Sequence, residues 1–112
     1  MSVKRTLEIT ASHHDYLIKS LQDPKELAAY LQVTMEEFDE TGDIKSLLIS
    51  LRHIVEAKGG ITQLAEKTKL NRQALYRTLS LDGNPRFDTL TAILKALGVK
   101  LSFNLSKNKK AA

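Results

Sequence analysis

Four residues between positions 72 and 77 carry chemistry that packing does not explain. Arg72, Gln73, Tyr76 and Arg77 interleave with Ala74, Leu75, Thr78 and Leu79, which share one face of a short helix. The first four are polar residues that the interior does not need. Their types can read a base edge: Arg pairs bidentately with guanine and Gln with adenine, and each good pair gives about 1–3 kcal/mol of discrimination. Other constellations are weaker. His13-His14 are neighbours that point in different directions on a helix, with no third ligand near in sequence, and read as an ordinary surface pair rather than a metal site. Glu36, Glu37, Asp39, Glu40 and Asp43 lack the Asp-x-Asp-x-Asp-Gly spacing of a calcium loop. The chain has no Gly-rich phosphate loop, nucleophile elbow or His-Glu-x-x-His motif, and no cysteine. No enzyme, metal or cofactor is expected.

The elements that position these residues follow from periodicity. From Asp43 to Lys58, the residues Ile44, Leu47, Leu48, Leu51, Ile54 and Val55 form one continuous apolar face, with Asp43 as N-cap and Gly59-Gly60 as the stop. Thr62 to Lys67 forms a short helix with Leu64 and Ala65 inward, and Thr68-Lys69-Leu70 links it to a second one capped by Asn71. Asp82-Gly83-Asn84-Pro85 is a turn. A helix from Phe87 to Leu97 then turns Phe87, Leu90, Ile93, Leu94 and Leu97 inward and ends at Gly98.

Upstream, Asp23-Pro24-Lys25-Glu26 is a helix start, and the helix it opens carries Leu27, Tyr30, Leu31, Met35 and Phe38 inward as far as Thr41-Gly42. Ser12-x-x-Asp15 resembles a capping box and predicts a shorter helix from Ser12 to Leu21. Two segments have a period of two and read as strands, Val3 to Thr10 and Val99 to Leu105. A lone strand cannot satisfy its own backbone, so these two need each other or a second copy of the chain. Lys107 to Ala112 reads as a short, mobile basic tail.

The 112 residues suit one mainly α-helical globular domain, and their net charge of +4 conceals a division. Through Asp43 there are four basic residues against nine acidic ones, a net of −5, whereas the remainder has thirteen against four, a net of +9. A basic half suits a polyanion such as nucleic acid, and an acidic half would repel it and suits a different contact. No stretch approaches a membrane span, the N-terminus has no hydrophobic signal core, and the lack of cysteine fits a reducing compartment. A cytoplasmic protein is expected.

Two short helices on a tight link, within a basic helical domain, describe a helix-turn-helix. Close crossing needs a small residue in the first helix, an apolar one past the turn and an apolar anchor in the second; Ala65, Leu70 and Leu75 supply them at intervals of five. Ile61 to Leu79 resembles the Xre/Cro type of this motif. With the string Leu75-Tyr76-Arg77-Thr78-Leu79-Ser80-Leu81-Asp82-Gly83-Asn84-Pro85, with Gly59-Gly60-Ile61, and with the Asp23-Pro24 helix running through Ala29-Tyr30-Leu31, the chain resembles HigA-like addiction-module antidote proteins over nearly its whole length. There are two departures: Lys69 stands where the motif usually has Gly, and Arg86 where a Ser or Thr cap is usual.

The resemblance implies a lambda-repressor-like helix-turn-helix bundle over 44–98. An acidic N-terminal extension at 1–43 would precede it, and a strand and basic tail at 99–112 would follow as the dimer element. It implies that Arg72, Gln73, Tyr76 and Arg77 face DNA bases, with Arg72 and Gln73 entering the major groove first. Thr62, Gln63, Lys67, Lys69, Asn71, Asn84 and Arg86 would contact phosphates, fixing register without reading sequence. The acidic run has two readings, a solvated face or a docking surface. The resemblance favours the second, with Glu36, Glu37 and Glu40 meeting a small basic toxin of the RelE/ParE/HigB type. The expected function is therefore an antitoxin that neutralises a toxin and represses its own operator as a homodimer on double-stranded DNA. The rival is a stand-alone phage or bacterial helix-turn-helix regulator without a toxin.

Overall fold

The computed structural model describes the backbone of residues 3–106 and the side chains of residues 12–106. Within it the chain forms six helices: α1 (Val3–Ser20), α2 (Pro24–Thr41), α3 (Ile44–Ala57), α4 (Gly60–Thr68), α5 (Arg72–Thr78) and α6 (Phe87–Ala96). The architecture is mainly helical as expected, and no strand occurs among the described residues.

The sequence signals for helix ends are realised in the backbone. Asp23 accepts from the Lys25 amide at 2.9 Å with Pro24 at the first helical position, and Asp43 accepts from the Lys45 amide at 2.9 Å. Between them Gly42 takes a left-handed conformation, φ 70°, and its N–H closes α2 on the Phe38 carbonyl at 2.8 Å. Gly83 is required for a different reason. A Cβ there would stand 2.8 Å from the carbonyl oxygens of both Thr78 and Ser80, so the turn after α5 closes only on a residue without a side chain.

Helix α3 is the axis of the molecule, packing against α1, α2 and α4, and α4 in turn holds α5 and α6. The face anticipated for α3 is the buried one: Leu48, Leu51 and Ile54 exclude solvent completely, and Leu51 and Ile54 join Leu21, Leu75 and Ile93 of the other elements in one core cluster. One polar pair lies within this apolar contact. Thr34 of α2 donates to its own Tyr30 carbonyl at 2.9 Å and lies 2.8 Å from the Ser50 hydroxyl of α3, so neither hydroxyl is buried without a partner.

Three expectations are corrected. Val3 to Thr10 is not a strand: it is the first half of α1, and Ser12 lies inside that helix rather than at its start. A helix satisfies its backbone internally, whereas a strand here has no neighbour, and the β-branched residues cost only a few tenths of a kcal/mol each in helix propensity. Val99 to Leu105 is likewise not a strand. After Gly98, φ 82°, the Val99 amide bonds back to the Leu94 carbonyl at 2.9 Å, and the chain then leaves without regular structure, again because it has no strand to pair with. Phe87 is 69% exposed and Met35 40%, because each lies at the edge of its helix's apolar face and Phe87 is also the first residue of α6. The basic tail at 107–112 lies outside the described residues. No helix among the described residues is long and apolar enough to cross a membrane.

Candidate nucleic-acid interface

Helices α4 and α5 are joined by three residues whose geometry is fixed locally. Thr68 donates its hydroxyl to the Leu64 carbonyl at 2.8 Å and accepts from the Leu70 amide at 3.3 Å. Lys69 sits at φ 62°, ψ 19°, the only non-glycine with positive φ among the described residues, and its amide closes α4 on the Ala65 carbonyl at 2.9 Å. The left-handed turn is therefore kept despite the lysine, at about 1–2 kcal/mol of local strain. Asn71 caps α5, its side-chain oxygen accepting from the Ala74 amide at 2.7 Å.

Below this link Leu64 and Leu75 are buried and Ala65 and Leu70 half-buried, so the three spacing residues of the motif do converge on the core. Above it Arg72, Gln73, Tyr76 and Arg77 are all exposed, as are Thr62, Gln63, Lys67, Lys69, Asn71, Asn84 and Arg86. Thr62 and Tyr76 share a cavity of about 310 Å³ with Arg52 and Glu56 of α3, floored by Val55, Ile61 and Leu79. Gln63 and Lys67, one turn apart on α4, line an adjoining crevice with Lys58, Ala96 and Leu97, and Val55 and Gly60 border both. Arg52 was not anticipated: it precedes the two-helix segment by a whole element, and only the packing of α3 on α4 puts it beside Thr62 and Tyr76. In the sequence Arg52 is only one of the polar residues on the outer side of α3.

Two of the predicted phosphate ligands have other tasks. The side-chain oxygen of Asn71 is engaged in capping, which leaves only its amide nitrogen to donate outward. Arg86 makes two contacts with Asp88, 3.2 Å through Nε and 3.3 Å through the terminal nitrogen, and this hydrogen bond holds the Asp88 carboxyl below its ordinary range. The Thr89 amide, 2.8 Å from the same carboxylate, acts in the same sense.

On the acidic side Glu36, Glu37 and Glu40 are exposed along α2. Glu36 accepts from Gln32 at 3.1 Å, and Glu37 from the Ser46 hydroxyl of α3 at 3.2 Å. At the junction of the three long helices lies a cluster that the sequence concealed. His14 of α1 meets Glu56 at 3.0 Å, its ring stands edge-on to His53 at 5.5 Å, and the His53 Nδ1 is 2.9 Å from the Tyr30 hydroxyl. Burial, reinforced by the neighbouring His14, lowers the pKa of His53, so Nδ1 is available to accept from Tyr30. His13, in contrast, is an exposed residue on α1. No three potential ligands among the described residues are arranged to hold a metal.

The described residues thus combine a capped two-helix segment under an exposed polar and cationic face with a separate acidic helix. Residues 11–105 match the family described as probable addiction module antidote protein, and the chain belongs to that family. A protein of Haemophilus influenzae (strain Rd), described only as uncharacterized, is 30% identical over 77 residues, 69% of this chain and 78% of its own length. No solved structure matches the chain. Membership of an antidote family implies a toxin partner.

Proposed function

We propose that this protein is the antitoxin of a type II toxin–antitoxin module, neutralising a toxin of the RelE/ParE/HigB type and binding operator DNA as an autorepressor. In this reading α4 and α5 are a helix-turn-helix, and α5 enters the major groove of a palindromic operator. A dimer places the two copies of α5 roughly 34 Å apart, one helical turn of DNA. The observation that carries the DNA half is the division of α5: Leu75 is wholly buried while Arg72, Gln73, Tyr76 and Arg77 are exposed on a seven-residue helix. Arg72 and Gln73 read bases. Thr62, Gln63, Lys67, Lys69, Asn71, Asn84 and Arg86 position the backbone, joined by Arg52. The toxin half rests on family membership together with the net −5 of the first 43 residues, against which a basic toxin docks at Glu36, Glu37 and Glu40.

Selection of the operator from random duplexes, followed by titration at several salt concentrations, tests the DNA half. Arg72→Ala and Gln73→Ala each lose about 1–3 kcal/mol of preference at particular base pairs. Lys69→Ala weakens all sequences alike and lowers the salt slope by about 1. A uniform loss from Arg72→Ala would sink the base-reading role. For the toxin half, the Glu36→Lys/Glu37→Lys/Glu40→Lys variant is expected to lose co-purification with the toxin and to retain operator binding; an intact complex would refute docking at α2.

A further inference from the structure

The cavity that Arg52 shares with Thr62 and Tyr76 also carries a carboxylate, Glu56. A negative charge there opposes the approach of a phosphate. Arg52 stands one helical turn before Glu56 on α3, the spacing at which two opposite charges commonly meet. That pair is not made. Both carboxylate oxygens of Glu56 turn instead to Nε2 of His14 on α1, at 3.0 and 3.2 Å. The ion pairs among the described residues are His14–Glu56 and Arg86–Asp88, so the Arg52 side chain is exposed and Glu56 does not hold it. A carboxylate only accepts, so the His14 Nε2 donates. His14 is in turn held: its ring stands edge-on to that of His53 at 5.5 Å, and the His53 Nδ1 is 2.9 Å from the Tyr30 hydroxyl of α2. Three helices thus combine to keep one carboxylate away from one arginine.

We propose that His14 is a positioning residue for DNA binding: it keeps Glu56 off Arg52 and so leaves the Arg52 guanidinium for an operator phosphate. Without the His14 imidazole, the Glu56 side chain closes on Arg52 across one turn of α3, the two charges cancel, and the cavity loses its attraction for the DNA backbone. The His14–Glu56 contact is partly open to solvent, the side chains being 42% and 54% exposed, and such a pair adds little to stability. Its removal is therefore felt at Arg52 rather than in melting. The inference rests on the DNA half of the proposed function and adds a means of regulating it. Operator affinity depends on α1 being seated on α3, although none of the residues assigned to DNA lies on α1.

Full-length variants titrated with the operator selected from random duplexes, at several salt concentrations, test this. Arg52→Ala and His14→Ala are each expected to weaken binding by about tenfold, the loss of one charge-assisted contact, and to lower the salt slope by about 1. The two together lose no more than either alone, because both act through one guanidinium. The His14→Ala/Glu56→Gln chain is expected to recover at least the wild-type affinity and slope: it lacks the same imidazole but has no carboxylate to occupy Arg52. A double variant as weak as His14→Ala means that the imidazole only supports the fold, and overturns the inference. Binding unchanged by Arg52→Ala or by His14→Ala overturns it as well, and leaves the DNA reading in place. A wild type that selects no duplex overturns that reading and this inference together.

Discussion

The α3–α6 region and the α1–α2 region with the C-terminal arm solve the problem of burial differently. In the first, the helices close on a common interior, with Leu51, Ile54, Leu75 and Ile93 wholly excluded from water, and the charged residues left outside are mostly cationic. In the second, Leu21 and Leu27 anchor two 18-residue helices to α3, yet Tyr16, Val33, Met35, Phe103 and Leu105 remain exposed. Single exposed apolar residues are ordinary, and these are spread over α1, α2 and the segment after α6. The lesson is that the basic region holds most of the wholly buried side chains, whereas the acidic region rests on that interior through a few anchors.

The largest test of that contrast is whether the two regions unfold together. Leu75→Ala and Leu21→Ala each empty a fully packed site and are expected to destabilise the chain by about 2–5 kcal/mol in urea titration followed by circular dichroism. One shared transition in both variants means a single cooperative unit. A separate early transition in Leu21→Ala would mean that α1 melts alone and that the acidic region is an accessory to a self-sufficient core.

A smaller effect is expected within the basic region itself. Lys69 is held at φ 62° where glycine would be relaxed, so Lys69→Gly gains about 1 kcal/mol of stability while losing the cation. If thermal stability rises and operator affinity falls, strain at this link is retained for its charge. Unchanged melting would show that the turn accommodates lysine without strain.

The smallest expected effect probes the seam between the regions. The His53 pKa lies below its ordinary 6.5 in the folded chain, chiefly through burial, so on acidification the unfolded chain takes up the proton first. Above about pH 6.5 neither state is protonated at His53 and stability is level; it falls as the pH drops through that value toward the folded pKa. Melting curves between about pH 7.5 and about pH 5.5 check this. His53→Gln, which keeps an acceptor for the Tyr30 hydroxyl, should flatten this part of the profile.

Much of the molecule could be read from the chain because its signals are local. Asp23, Asp43 and Asn71 each cap the helix that follows, and the face from Ile44 to Val55 is buried as its period required. Where the signal needed a partner, sequence reasoning failed. Leu7 and Ile9 alternate over too short a stretch to separate a strand from a helix, and a strand exists only if another pairs with it. The same holds for Leu101, Phe103 and Leu105. In the candidate interface the polar face of α5 was legible. The approach of Arg52 to Thr62 and Tyr76 and the ion pair that occupies Arg86 were not.

By itself, then, the sequence determined α2 to α6, the caps Asp23, Asp43 and Asn71, most of the interior and the partition of charge between two halves. All of these depend on neighbours within a turn or two along the chain, or on simple addition. Only the tertiary structure decided which polar residues stand together, that His14, His53, Glu56 and Tyr30 meet where three helices join, and that residues 99–102 and Asn104 come to rest along α2. Those outcomes depend on how helices cross and on where a segment without regular hydrogen bonds comes to rest, and no periodicity encodes either.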